Sequence, residues 1–196
     1  MITLEMLMSI CLGVGLAASS GFRVFVPLFG LSLASYFGII PLTEEWSWVG
    51  SLSALIILGV ASVVESLGYL VPVVDNALDT IAVPLAGVAG TLVMASTLTD
   101  FSPAMTWALA IVAGGGAAAA IKTTSAATRA VSTATTAGVA NPVFGAAETT
   151  AAVGLSALAI FAPVFGVAAM ALGVVFLIWL LMKFKKRHQA AEQNSQ

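Results

Sequence analysis

The residues with the most chemical content in this chain are charges set among apolar neighbours. Arg23 interrupts the first apolar stretch and Glu65 lies well inside a later one. Lys122 and Arg129 stand in a run of small polar residues, Glu148 opens the next apolar run, and Asp75 and Asp79 sit between two runs. An ionised side chain at mid-membrane costs at least about 2.5–3.5 kcal/mol, so each must pair, snorkel or face water. Three cations against four carboxylates come close to mutual neutrality, and all seven can converge on one polar vestibule. Guanidinium forks suit phosphate or carboxylate, and helix N-termini beside broken segments would add favourable dipoles. The expected substrate-binding set is Arg23, Arg129, Lys122, Ser19, Ser125, Thr136 and Asn141. Glu65, Asp75, Asp79 and Glu148 are expected to hold the arginines or carry coupling protons. Glu65 or Asp79 is the expected partner of one arginine and Glu148 of the other.

Spacing supports two constellations. Lys122, Ser125, Arg129, Ser132 or Thr133, and Thr136 recur every three or four residues, one stripe of a helix. The segment Thr135 to Pro142 then breaks that helix. Such a stripe either lines a wet cavity or packs tightly with hydroxyls as glue, and the two are compatible. The second constellation runs Glu65, Tyr69, Pro72, Asp75, Asn76, Asp79. Glu65 and Tyr69 share a helix face. Asp75 reads as the N-cap of the helix that follows, or with Asp79 as a proton or cation site, since like charges raise one pKa.

Composition excludes much else. The 196 residues are 60% hydrophobic and 8% charged, with a mean hydropathy of +1.07, whereas soluble domains carry about a quarter charged residues. Seven Lys+Arg against nine Asp+Glu give no basic field for nucleic acid. The single cysteine, Cys11, cannot form an intrachain disulfide. The single histidine, His188, lies in the polar C-terminal tail, away from any intramembrane Ser–His pair or imidazole metal site. No metal, cofactor or catalytic residue is expected. No nucleotide-binding loop occurs, and Asp75 with Asp79 lacks the signatures of an aspartyl protease. A cleaved signal peptide is not expected, because only Glu5 precedes the first apolar stretch.

The expected fold is all-α: a polytopic transmembrane helix bundle of about five to seven spans, with broken or re-entrant segments. Residues 1–182 form one transmembrane domain and 183–196 a basic, then polar, cytoplasmic tail. Ile2 to Ile40 is broken at Ser19–Arg23 and Pro27, giving either two short crossings or a re-entrant hairpin and a crossing. Val49–Leu70 is expected to end at Pro72, followed by spans at Ile81–Leu98, Ala104–Ile121, Ala146–Phe161 and Val164–Met182. Glu65 lies 17 residues beyond Trp48, about 25 Å along a helix. The cluster Lys183, Lys185, Lys186 and Arg187 places the C-terminus in the cytoplasm, with Lys122 and Arg129 inside and Asp100, Glu44 and Glu45 outside. A weak internal repeat, 1–98 and 104–182, is suggested by Ser19-x-x-x-Arg23 and Ser125-x-x-x-Arg129, each followed by a Pro-[Leu/Val]-Phe-Gly element.

The run Ser19 to Leu28, the Glu65…Asp79 string, Gly114–Gly116, and Ser132 to Pro142 with Glu148 resemble a bacterial family of small multi-spanning membrane proteins, DUF4126, defined only as a domain of unknown function. The resemblance covers about Leu4 to Met182. It implies a multi-pass bacterial inner-membrane protein and names no reaction. The functional expectation therefore comes from the charges: a secondary transporter or lipid flippase, not an enzyme, handling a phosphate- or carboxylate-bearing small molecule or lipid headgroup. The alternative is a non-transporting membrane scaffold or accessory subunit held by structural ion pairs. Membrane lipids are expected partners, a homo-oligomer is compatible, and nucleic acid is not expected.

Overall fold

The computed structural model describes residues 3–168, 172 and 175, without the side chains of Pro72, Val73, Asp75, Asn76, Ala77 and Thr80. The basic cluster, His188 and most of the expected last span lie outside the described residues. Every regular element described is helical: α1 Leu4–Phe22, α2 Phe25–Tyr36, a 3₁₀ turn Glu44–Gly50, α3 Leu52–Gly68, α4 Pro72–Thr97, α5 Pro103–Leu109, a π segment Ala110–Gly115, α6 Gly116–Thr136 and α7 Asn141–Phe161. Among the described residues, Leu4–Phe22, Pro103–Thr136 and Asn141–Phe161 are long and apolar enough to cross a membrane, and Glu44–Gly50 with Leu52–Gly68, bent by 60°, makes a fourth if the pair is counted as one span. These apolar helices mark a membrane protein. Bulky residues such as Ile57, Val64, Val88 and Val112 are exposed on their outer faces, where lipid rather than water would meet them.

α1 and α2 form a tight hairpin. Arg23, with extended backbone, is the cap residue between them, and Val24 returns at once to helical angles. Leu12 and Leu16 of α1 pack in one core with Leu31 and Ala34 of α2, the pairing expected of antiparallel helices meeting at residue 23. α7 lies along both. Ser19 Oγ meets Ser156 Oγ at 2.8 Å, and a Cβ on Gly30 would stand 3.6 Å from Ser156 Cβ. With 12 residues, α2 is about 18 Å long, less than the roughly 30 Å hydrocarbon core of a bilayer.

Two expectations about helix ends are corrected. Pro72 does not close a span; it occupies the first turn of α4, capped by Val71, where its missing N–H costs nothing. Asp75 is consequently inside α4, not at its N-cap. The span expected at Ala104–Ile121 likewise does not end there but continues through the small polar run: Pro103 to Thr136 is one 34-residue helical body. Its hydroxyls return to its own backbone, Thr123 to Ala119 O, Thr124 to Ala120 O, Thr128 to Thr124 O and Thr136 to Ser132 O, so a polar sequence stays helical. The expected break comes where placed, with Ala137 and Gly138 at positive φ (52° and 83°). α4 meets the π segment through two glycines: a Cβ on either Gly90 or Gly114 would come within 2.6 Å of the other's carbonyl oxygen.

Candidate functional site

The hairpin turn needs outside help, because a break between helices leaves backbone N–H groups without intrahelical acceptors. Glu65, on the last turn of α3, supplies it. Its Oε1 accepts from Val24 N–H at 2.7 Å and its Oε2 from Phe25 N–H at 2.9 Å. Glu65 thus caps α2 and contacts neither guanidinium by hydrogen bond, which corrects the ion-pair role expected for it. The carboxylate sits at the positive end of the α2 dipole, where it is favoured.

Arg23 itself is fully buried and turns toward α7. Its Nε donates to Thr149 Oγ1 at 3.0 Å, one terminal nitrogen to Glu148 Oε2 at 3.0 Å, and the other to the Gly145 carbonyl at 2.8 Å. Arg129, 2% exposed on α6, reaches the same carboxylate. It donates through Nε to Glu148 Oε1 at 3.0 Å and through a terminal nitrogen to Oε2. Ser125 Oγ also donates to Oε1. The expectation of separate carboxylates for the two arginines is therefore corrected: Glu148 serves both. α6 and α7 bring the three groups together because Ser125 and Arg129 are one turn apart on one face.

Lys122, one turn before Ser125, is 1% exposed. Its Nζ lies 3.9 Å from Asp79 Oδ1 on α4 and has no hydrogen-bond acceptor among the described residues. The three cations surround the ring of Tyr69, with Arg23 Cζ at 3.9 Å from its centroid, Arg129 Cζ at 4.5 Å and Lys122 Nζ at 4.6 Å. One aromatic quadrupole thus faces three positive groups. Among the described side chains, Arg23, Lys122 and Arg129 are balanced by Glu65, Asp79 and Glu148.

The other expected site residues are placed elsewhere. Ser19 binds α1 to α7, donating to the Ala152 carbonyl at 2.8 Å. Thr136 ends α6, accepting from Ala140 N–H at 3.3 Å. Asn141 Nδ2 donates to Thr133 Oγ1 at 2.9 Å across the α6–α7 turn. The Asp75 side chain lies outside the described residues. Two members of the cluster carry no expected role in the sequence reading: Tyr69, whose i+4 spacing from Glu65 was the available signal, and Thr149, which had none.

The cluster lies at one end of α3, beside Tyr69. The opposite end opens into a cavity of about 930 Å³ whose lining includes Glu44, Glu45, Asp100, Trp46, Trp48 and Trp107. The acidic loops expected on one side do gather together, away from the cations.

No curated protein and no solved structure matches this chain. Residues 10–183 match the family model described as a domain of unknown function, DUF4126, and the chain belongs to that family.

Proposed function

We propose that this membrane protein binds an anionic group, phosphate or carboxylate, between Arg23, Arg129 and Lys122, and moves it as a small secondary transporter or lipid flippase of the bacterial inner membrane. The observation that supports this reading is the convergence of three buried cations at the tip of a hairpin whose second helix is too short to span a bilayer. In this reading α1–α2 is a re-entrant hairpin and its tip is the floor of an inward-facing site. Glu148 acts as the resident anion. It holds both guanidiniums when the site is empty, and an incoming oxyanion takes over part of its donor set. Asp79, with a side chain 20% exposed, marks the approach from solvent. The positive-inside rule, applied to Lys183, Lys185, Lys186 and Arg187 in the sequence, supports a cytoplasmic side for Lys122 and Arg129.

Proteoliposomes carrying purified protein test the proposal, with inorganic phosphate uptake and the leaflet exchange of a fluorescent anionic lipid as readouts. Movement above that of empty liposomes is expected. Arg129→Lys, which keeps the charge but loses the fork, is expected to fold and to cut the rate at least about tenfold, the loss of one charge-assisted hydrogen bond. No movement of either probe by folded native protein overturns the proposal.

One observation supports a second reading, a non-transporting scaffold. Every nitrogen of the Arg23 guanidinium already has a protein acceptor, as a closed structural network would require. Cysteines placed singly at Ser20, Ser125 and Thr136 in a Cys11-free variant separate the two. Labelling of Ser125→Cys by a membrane-impermeant reagent supports the site, and its protection beside a labelled Thr136→Cys supports the scaffold.

A further inference from the structure

We infer that the anion taken by this cluster is a phosphomonoester, and that Lys122 is the residue that selects it over a carboxylate. The inference rests on the anion-binding reading above and adds the chemical class of the ligand.

The argument starts from donors and acceptors. An ionised carboxylate offers two oxygens and about four acceptor positions. Glu148 has four donors on it: one from Arg23, two from Arg129 and one from Ser125. It has no position left for a fifth. Lys122 is the cation left over, its ammonium 1% exposed and, among the described residues, without a hydrogen-bond acceptor. Asp79 at 3.9 Å balances its charge but stands beyond hydrogen-bond reach. Three N–H donors buried in this way need an acceptor supplied from elsewhere.

A carboxylate ligand replacing Glu148 would reproduce the present count, with two oxygens for two guanidiniums and again none for Lys122. A phosphomonoester brings three terminal oxygens and a charge of about −1.5 to −2 at pH 7. Two oxygens can engage the arginines while the third meets the ammonium. Tyr69 gathers the three cations within 4.6 Å of its ring centroid, so their positive charge is concentrated about one ring. Entry past Asp79 is consistent with exposure, since its side chain is 20% accessible against 0–2% for the three cations.

The test is isothermal titration of the full-length protein in an uncharged detergent with dioctanoyl phosphatidic acid, inorganic phosphate and octanoate. At least one phosphate-bearing probe is expected to bind at least about tenfold more tightly than octanoate, as one added charge-assisted hydrogen bond implies. Lys122→Gln is expected to weaken the phosphate-bearing probes at least about tenfold and octanoate by a smaller factor, bringing the two classes within about twofold. Tight binding of the lipid probe alone identifies a lipid headgroup as the source, and equal binding of inorganic phosphate identifies a soluble one. Octanoate binding as tightly as both phosphate probes to the native protein overturns the inference and leaves anion binding standing, and this comparison needs no variant. Equal weakening of all probes by Lys122→Gln also overturns it. Binding of none of the three overturns the anion-binding reading as well.

Discussion

Arg23, at the turn after α1, and Arg129, on α6, donate to the same oxygen of Glu148. This ties α1, α6 and α7 at one point, and the buried charges make that point hard to dissolve. Glu148→Ala would remove the carboxylate that two buried guanidiniums share. The expected loss is about 3–5 kcal/mol, a large part of a typical domain's stability. Glu148→Gln, with one acceptor oxygen, should fall between. Thermal midpoints in detergent check this, and an unchanged midpoint for Glu148→Ala would show that the shared carboxylate does not secure the helices.

Glu65 acts on backbone rather than on charge, so its variants should have a local signature. Glu65→Ala strands the Val24 and Phe25 N–H groups, at about 1–3 kcal/mol for each buried group. Glu65→Gln retains an acceptor for one of them and should lose about half as much. Hydrogen exchange at Val24 and Phe25 reads the cap directly: protection should drop in both variants, more in Glu65→Ala. Full protection in Glu65→Ala would remove the cap from the account.

Tyr69 separates ring from hydroxyl. Tyr69→Phe keeps the face that meets three cations and should leave the thermal midpoint close to native. Tyr69→Leu removes it and should cost roughly 2 kcal/mol or more, the scale of a desolvated cation–π contact. Equal effects of the two substitutions would assign the role to the hydroxyl instead.

Close approach of α4 to the π segment predicts a sharp contrast among glycines. Gly90→Ala would set a Cβ 2.6 Å from the Gly114 carbonyl oxygen and from Ala118 Cβ, an overpacking expected to cost about 1–3 kcal/mol. Gly154 of α7 has nothing within 4 Å of the same position, so Gly154→Ala should be neutral or stabilise by up to about 1 kcal/mol. Melting curves of the two variants make the comparison; a Gly90→Ala midpoint equal to that of Gly154→Ala would contradict the close crossing.

The buried cations were legible in the sequence because membrane energetics makes any charge in an apolar run conspicuous. The stripe Lys122, Ser125, Arg129 follows from helical periodicity, and the α6–α7 break from the glycine and proline around Asn141. What escaped has physical causes. Glu65 reads as an ion-pair partner because the N–H groups of Val24 and Phe25, its real partners, are common to every residue type and invisible in a sequence. Pro72 can end one helix or start the next, and its ring alone does not say which. The span beginning at Ala104 reads as ending at Ile121 because the run beyond it is polar, yet Thr123, Thr124, Thr128, Thr135 and Thr136 bond four residues back and leave the helix whole. Tyr69 is marked in the sequence only by the helix face it shares with Glu65, since its importance comes from Arg23 of the hairpin turn and from Lys122 and Arg129 of α6.

The separation between Arg23 and Glu148, 125 positions along the chain, also sets an order of events during biosynthesis. A ribosome adding about 5–20 residues per second needs roughly 6–25 s to deliver the second after the first. Glu65, 41 positions after Val24, arrives within about 2–8 s at the same pace. The turn is therefore capped well before its guanidinium is neutralised. Through that interval the nascent α1–α2 hairpin carries an exposed cost, and the insertion machinery must shelter it until α7 emerges. A hairpin made early thus becomes secure only when α7 arrives.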